Sequence, residues 1–467
     1  MAGGRPALDA IKDFFRGLAG RRSRRPERLE FAAALFRGGQ LAEANGWCER
    51  VLRADPDNVE ARLLCAEIAL SRGDKRNALL LLQETHSLGP GEVGAQQCLG
   101  MLFARAGDAA KAAEVLRESL RRGRDALGHL CALSEAEEAL GHYTAAAAAY
   151  DSILAQSPGE SRIFTRRATM MMRQAWGAPL PAPPEKRQEP GLERRIMMSR
   201  LGTMGRFGMQ VQQYMALRVY GRIHRLAVEV PDWPGRWLFD LDDPYPGSAL
   251  PEFRESPGGG ARLFSGEAAE IFSERDFSGY FYCPTQYYLP HCAFLQTLFR
   301  PGERARPPME EGLSRLRRQG RTLVALHIRR GDKVEHKRFW VAPLAPYLAW
   351  LDAIWQELDA PVLYVASDDP QIHREFREFA PATAGDLGVS IPGAEFFTDF
   401  YVLTQADLLA ISPSSFSFTA SMLNTTARQF LRPPRDSGQL VPFDPWNSPR
   451  PFDPWNSPRR RPEPGAA

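Results

Sequence analysis

The sequence predicts an α plus α/β protein, with a helical solenoid leading into an α/β domain of parallel strands. Three observations carry this expectation. A glycine recurs every 34 residues through the first half, a proline-rich stretch at 175–191 ends that rhythm, and three apolar runs in the second half each stop abruptly at polar residues.

At 467 residues the chain exceeds one ordinary core and is expected to form two or three domains. A net charge of only +3 argues against a nucleic-acid binder that works by neutralising phosphates. The cysteines at 48, 65, 98, 131, 283 and 292 include no CxxC pair, as expected of reduced thiols in the cytoplasm. No run approaches the roughly twenty apolar residues of a spanning helix, and the N-terminus lacks the apolar core of a secretion signal. Residues 1–26 place Leu8, Ile11, Phe14, Phe15 and Leu18 on one helical face ahead of Arg21, Arg22, Arg24 and Arg25. Such a segment suits either peripheral contact with an anionic membrane or packing on the next domain.

Gly39, Gly73, Gly107 and Gly141 are each followed five residues later by an alanine: Ala44, Ala78, Ala112 and Ala146. Pro56, Pro90 and Pro158 keep the same register. Glycine in a helix turn, a small residue where helices cross and a closing proline resemble the tetratricopeptide repeat, here assigned to residues 27–174. Each unit is a helix hairpin that buries its apolar face only by stacking on its neighbours. The stack leaves a concave groove suited to a protein partner, a spacer or dimerisation arm being the alternative use. Cys65, Cys98 and Cys131 fall within these helices as small buried residues.

Residues 175–193 read as a semi-rigid proline-rich linker. Residues 431–467, where "PFDPWNSPR" occurs in tandem at 442–450 and 451–459, read as a disordered tail.

The runs "TLVALHI" (322–328), "PVLYVAS" (361–367) and "ADLLAIS" (406–412) read as buried parallel strands. They are followed by "RRGDK", "DDP" and "PSSFS", and in an open α/β sheet ligands bind beyond the carboxyl ends of strands. Arg329 and Arg330 at a strand end present forked donors suited to phosphate oxygens. Ser414 and Ser415 open a predicted helix whose N-terminus also favours an anion. Together they point to a diphosphate. A fourth stretch passes through Gly202, Gly205, Arg206, Gly208 and Gln210 into an amphipathic helix, with neither a Walker lysine nor dinucleotide-fingerprint spacing.

The ordered segments "HIRRGDK", "ASDDP" and "DFYVLTQADLLAISPSSFS" resemble the motifs of the α1,2/α1,6-fucosyltransferase superfamily with its HxRRxD core. "GRFGMQVQQY" and "SGYFYCPTQYY" resemble further motifs of the α1,2 branch, so the resemblance covers roughly residues 194–430. It implies a two-lobed GT-B-like α/β domain and inverting transfer of fucose from GDP-fucose to a glycan hydroxyl, with no cofactor and no metal. It further implies that Arg329 and Arg330 hold the donor diphosphate, with Ser415 adding a hydroxyl beside Ser414. His327 and Asp399 would contact guanine, and Asp369 and Lys333 would support the site.

Two departures stand out. Met209 occupies the position before Gln210 where that branch carries asparagine, and Lys337 occupies the position where the α1,6 branch carries glutamate. Asp332, Glu335 and His336 are the alternatives for the general base, and the sequence does not choose among them. A transferase using another GDP-hexose, or an interaction protein that has lost turnover, fits the same residues. Trp233 and Trp237 suit either stacking on an acceptor sugar or packing between lobes.

Overall fold

The computed structural model describes residues 26–89, 93–122, 127–255, 260, 263–264, 271–330, 340–435 and 438–448. It comprises two compact units, residues 1–158 and 159–467.

Among the described residues, the first unit consists of four helix hairpins, α1–α2 (Pro26–Arg37, Leu41–Ala54), α3–α4 (Val59–Ser71, Lys75–Ser87), α5–α6 (Val93–Ala106, Ala109–Arg122) and α7–α8 (Leu127–Ala139, Tyr143–Gln156). The periodic glycines sit in the hairpin turns with φ of +79° (Gly39), +81° (Gly73), +97° (Gly107) and +75° (Gly141), a conformation costly for any residue with a Cβ. The four phased alanines have no exposed surface, because a larger side chain there would push paired helices apart. Cys65, Cys98 and Cys131 are buried, as their positions predict.

The boundary lies earlier than expected. α9 (Ser161–Trp176) belongs to the second unit, where Ala168 and Met172 join its core and Thr165 donates to the Gly202 carbonyl at 2.7 Å. The proline-rich stretch is also not a free linker. Lys186 is buried and its ammonium donates to the Phe239 and Arg300 carbonyls, each at 2.6 Å. Proline keeps the stretch free of any α-helix, leaving one 3-10 turn at Pro184–Lys186, without preventing it from being tied down through its side chains.

The second unit contains two mainly parallel sheets. In the first, β1 (Arg195–Met197), β2 (Ala227–Glu229), β3 (Glu252–Arg254) and β4 (Arg275–Ser278) lie in the order β2-β1-β4-β3. Helix α10 (Phe207–His224) follows β1 through the glycine-rich turn. Helix α11 (Arg306–Arg317) leads to the second sheet: β5 (Thr322–Ile328), α12 (Ala345–Ile354), β6 (Pro361–Ser367), α13 (Phe396–Leu403), β7 (Leu408–Ile411), α14 (Ser415–Leu423), β8 (Gln429–Arg432) and β9 (Val441–Pro442). Its order is β6-β5-β7-β8-β9, antiparallel only at β9. β5 is buried along its whole length, since both edges are paired and both faces covered, which explains its unbroken apolar run.

Two further expectations change here. The tail assigned from residue 431 contributes β9, and Phe443 and Trp446 pack on the core while the Ser448 N–H donates to Thr285 Oγ1 at 2.9 Å. Proline suits this edge strand, where one N–H needs no partner. Trp233 and Trp237 are fully packed core residues and offer no face to a sugar. The basic N-terminal segment 1–25 and the second nonapeptide lie outside the described residues.

Candidate functional site

From β5 the chain pairs β6 on one side and then crosses to place β7 on the other, so connections leave in opposite directions beyond the ends of β5 and β7. Such a switch point opens a crevice, and here it is a cavity of about 700 Å³. Its second-sheet wall includes His327, Arg329, Asp368, Asp399, Ser414 and Ser415. Its first-sheet wall comes from the segments after β1 and β4: Gly205, Arg206, Gly208, Met209, Tyr280 and Tyr282.

Two helices start at the cavity. Gly208 in the first turn of α10 lies against the first turn of α14 so closely that an added Cβ would stand 2.5 Å from the Phe416 Cα. Neither helix has an acidic residue in its first turn, so both sets of exposed N–H groups keep their attraction for an anion. Ser414 caps α14, its hydroxyl accepting the Phe416 N–H at 3.3 Å. Arg206 precedes α10 on the same cavity. Phe207 anchors that helix start among Phe396 and Phe400, with ring centroids 4.8 and 5.1 Å away.

At the end of β5, Arg329 Nε lies 2.9 Å from Asp368 Oδ2, and the Arg329 N–H donates to Ser412 Oγ at 3.0 Å. Ser412 Oγ is also 2.9 Å from His327 Nδ1, so one buried hydroxyl ties the imidazole to the arginine backbone. Arg330 points elsewhere. Its guanidinium donates to the Ala342 carbonyl at 2.7 Å, and burial pulls its pKa below the usual arginine value.

Asp399, on α13, is half-buried at the cavity and accepts the Tyr364 hydroxyl at 2.6 Å. Burial raises its carboxyl to about 6, a shift the Tyr364 hydrogen bond opposes.

The structure therefore brings together His327, Arg329, Asp399, Ser414, Ser415, Gly205, Arg206 and Gly208. It separates Arg330, Asp369 and Gln210. The Asp369 carboxylate accepts the Gln371 N–H at 2.9 Å, bracing the loop. Gln210 is fully buried and donates to Thr165 Oγ1 at 2.8 Å and the Gly205 carbonyl at 3.1 Å, holding the glycine-rich turn against α9. Asp332, Lys333, Glu335 and His336 lie outside the described residues.

Of the Asp368–Asp369 pair, Asp368 lines the cavity and Asp369 braces the loop. The residue immediately after β6 reaches the crevice and the next one turns away. Sequence reasoning missed Glu395 and Phe396, which line the cavity with Asp399 and were findable by stepping back three and four residues along the same helix. Among the described residues no group of three or more His, Cys, Asp and Glu side chains is placed to hold a metal ion, and no helix is long and apolar enough to cross a membrane.

The tetratricopeptide repeat family model matches residues 29–92 and 99–161, so the first unit contains these repeats. No curated protein matches the sequence significantly. Among solved structures, YrrB, "a TPR protein with an unusual peptide-binding site", is 13% identical at a TM-score of 0.30, covering 35% of this chain and 85% of its own. MamA is 19% identical at a TM-score of 0.29, covering 32% and 81%. The NodZ α-1,6-fucosyltransferase soaked with GDP-fucose is 12% identical at a TM-score of 0.38, covering 54% of this chain and 99% of its own.

Proposed function

We propose that the second unit is a glycosyltransferase that moves fucose from GDP-fucose to a sugar hydroxyl with inversion at the anomeric carbon. One observation carries the reading: a single cavity at a switch point combines Arg329, two acid-free helix N-termini, a half-buried carboxylate and a histidine. The motif resemblance supplies the donor.

In this reading the diphosphate lies between Arg329 and the α10 and α14 N-termini. The acceptor oxygen attacks the anomeric carbon and displaces the β-phosphate oxygen, while the acceptor proton passes to a base. Negative charge grows on the departing phosphate, where fixed donors stabilise the transition state more than the ground state. The Asp399 carboxylate accepts from the N1–H and exocyclic amine of guanine, with His327 beside it. Arg330 and Asp369 hold the loops that present these groups. The base is one of Asp332, Glu335 and His336. The donor-site carry-over of Lys333 also belongs to the proposal.

The chemistry of the proposed site calls on no metal, because Arg329 and the helix N-termini supply positive potential at the leaving group. The repeats present a groove that recruits a protein partner or the acceptor's carrier. A cytoplasmic location with peripheral membrane contact through residues 1–26 completes the proposal, and liposome flotation with and without that segment tests the contact.

The test is GDP release from GDP-fucose, with GDP-mannose alongside, over a panel of sugar acceptors and water. Release with GDP-fucose that is lost in Arg329→Ala supports the reading. Preference for GDP-mannose assigns a different hexose, and GDP binding without turnover of either donor assigns an interaction protein that has kept the fold.

A further inference from the structure

We infer that Tyr280 and Tyr282 form the platform on which the acceptor saccharide rests the apolar face of its pyranose ring. The inference rests on the transferase reading above and assigns the substrate class of the cavity's first-sheet wall.

Both tyrosines line the cavity, with ring centroids 5.6 Å apart and planes within 7° of parallel. Tyr280 is 42% exposed, unlike the neighbouring Phe277 and Phe281, which are buried. The backbone that displays it is held in an uncommon state. Phe281 has φ of +52°, a left-handed conformation that is strained for a residue with a side chain. Such strain persists only where surroundings impose it. Here the buried-side carboxylate of Glu255 accepts the N–H groups of Tyr280 and Phe281 at 2.7 and 2.8 Å. Gly279, just before, has no room for a Cβ, which would stand 2.4 Å from the Glu255 Cβ, and its carbonyl accepts the Gln213 amide at 2.9 Å. The turn drives Phe281 into the core and leaves the flanking tyrosines facing the cavity.

The two walls differ in chemistry. His327, Arg329, Asp368 and Asp399 stand on the second-sheet side, whereas Tyr280, Tyr282, Gly205 and Met209 make an aromatic and apolar stretch of the first-sheet wall beside Arg206. A sugar ring has an apolar C–H face, and a rigid tyrosine ring matches it. Guanine finds its hydrogen-bonding partner on the opposite wall, at Asp399, which leaves the tyrosines to the acceptor.

The test titrates full-length GDP-saturated protein with methyl β-galactopyranoside, methyl α-mannopyranoside and methyl β-N-acetylglucosaminide, reading saturation transfer to the ring protons by NMR. GDP affinity is measured separately. Wild type is expected to saturate the C–H face of at least one glycoside. In Tyr280→Ala or Tyr282→Ala its dissociation constant should rise about tenfold, with GDP affinity unchanged and Tyr280→Phe close to wild type. Failure of every glycoside to bind wild type, equal binding in the alanine variants, or loss of GDP affinity in them would overturn the platform. Absence of GDP binding by wild type sinks the transferase reading instead. The glycoside titrations repeated without nucleotide then decide the platform by themselves.

Discussion

One oxygen of the Asp368 carboxylate lies 2.9 Å from Arg329 Nε, while the other accepts the Arg330 backbone N–H at 2.7 Å. A single carboxylate therefore aims the first arginine into the cavity and fixes the backbone of the second, whose side chain leaves for the Ala342 carbonyl. Two adjacent arginines thus do different work. The first lines the cavity where the proposed transfer would build leaving-group charge, and the second ties the end of β5 to the Ala342 carbonyl.

Removing them should separate these roles. Arg329→Ala is expected to lower the rate of GDP release by about 10²–10³, the usual loss for one donor aimed at developing charge, with the melting temperature little changed. Arg330→Ala should lower the rate less and destabilise the fold by about 1–3 kcal/mol, because the Ala342 carbonyl loses its donor. Release kinetics and thermal melts on both variants check this, and equal kinetic losses would contradict the division.

Gly208 is expected to tolerate no side chain. A Cβ would meet the Phe416 Cα at 2.5 Å and its nitrogen at 2.6 Å, backbone atoms that cannot rotate aside. Gly208→Ala should force α10 and α14 apart, costing about 1–3 kcal/mol and weakening GDP binding because the two N-termini no longer converge. Denaturant unfolding and GDP calorimetry measure the two effects, which should appear together.

The parts of this fold that were legible in the sequence obey short periods. The 34-residue spacing of Gly39, Gly73, Gly107 and Gly141 follows from a hairpin that repeats itself, and the apolar run 322–328 from a strand covered on both faces. Long-range placement was less legible. Neither Lys186 donating to two carbonyls nor Trp446 packing on the core can be read from proline-rich segments whose local signal says only that no helix forms. Within the site, residue type at a strand end pointed to Arg329 and the motif resemblance to His327 and Asp399, and all three line the cavity. Deciding which of Asp368 and Asp369 faces the cavity required the turn after β6, where Ser367 Oγ donates to the Ile328 carbonyl at 2.6 Å and accepts the Asp369 N–H at 3.1 Å.

Asp399 is expected to make nucleotide binding depend on pH. Its carboxyl is raised to about 6 by burial, so acidification toward pH 5 protonates it and replaces an acceptor by a donor. If it receives the guanine N1–H, GDP-fucose affinity should fall as pH drops through 6, by about tenfold per unit below it. Asp399→Asn should bind weakly with a flat profile, which separates this carboxyl from other titrating groups. The free protein should respond oppositely. A carboxyl whose pKa is raised on folding stabilises the fold most below its unfolded value and loses that contribution as pH rises through about 6. Calorimetry from pH 5 to 7.5 and melts of the free protein, each against Asp399→Asn, test both signs.

The placement of α9 sets where the chain can be divided. Thr165 on that helix donates to the Gly202 carbonyl at 2.7 Å and accepts the Gln210 amide at 2.8 Å, so the turn carrying Gly205 and Arg206 depends on it. Phe164 adds a ring 5.3 Å from Phe396 beside the cavity. A chain beginning at residue 159 is expected to fold and to bind GDP with full-length affinity. One beginning at residue 175, just past the end that the sequence assigns to the repeats, exposes Ala168 and Met172's share of the core and leaves the Gln210 amide without Thr165. It should be insoluble or melt at least 10 °C lower, since losing several kcal/mol from a domain of this size shifts the midpoint by about 2–4 °C for each. Equal stability and GDP affinity of the two truncated chains would return α9 to the repeats.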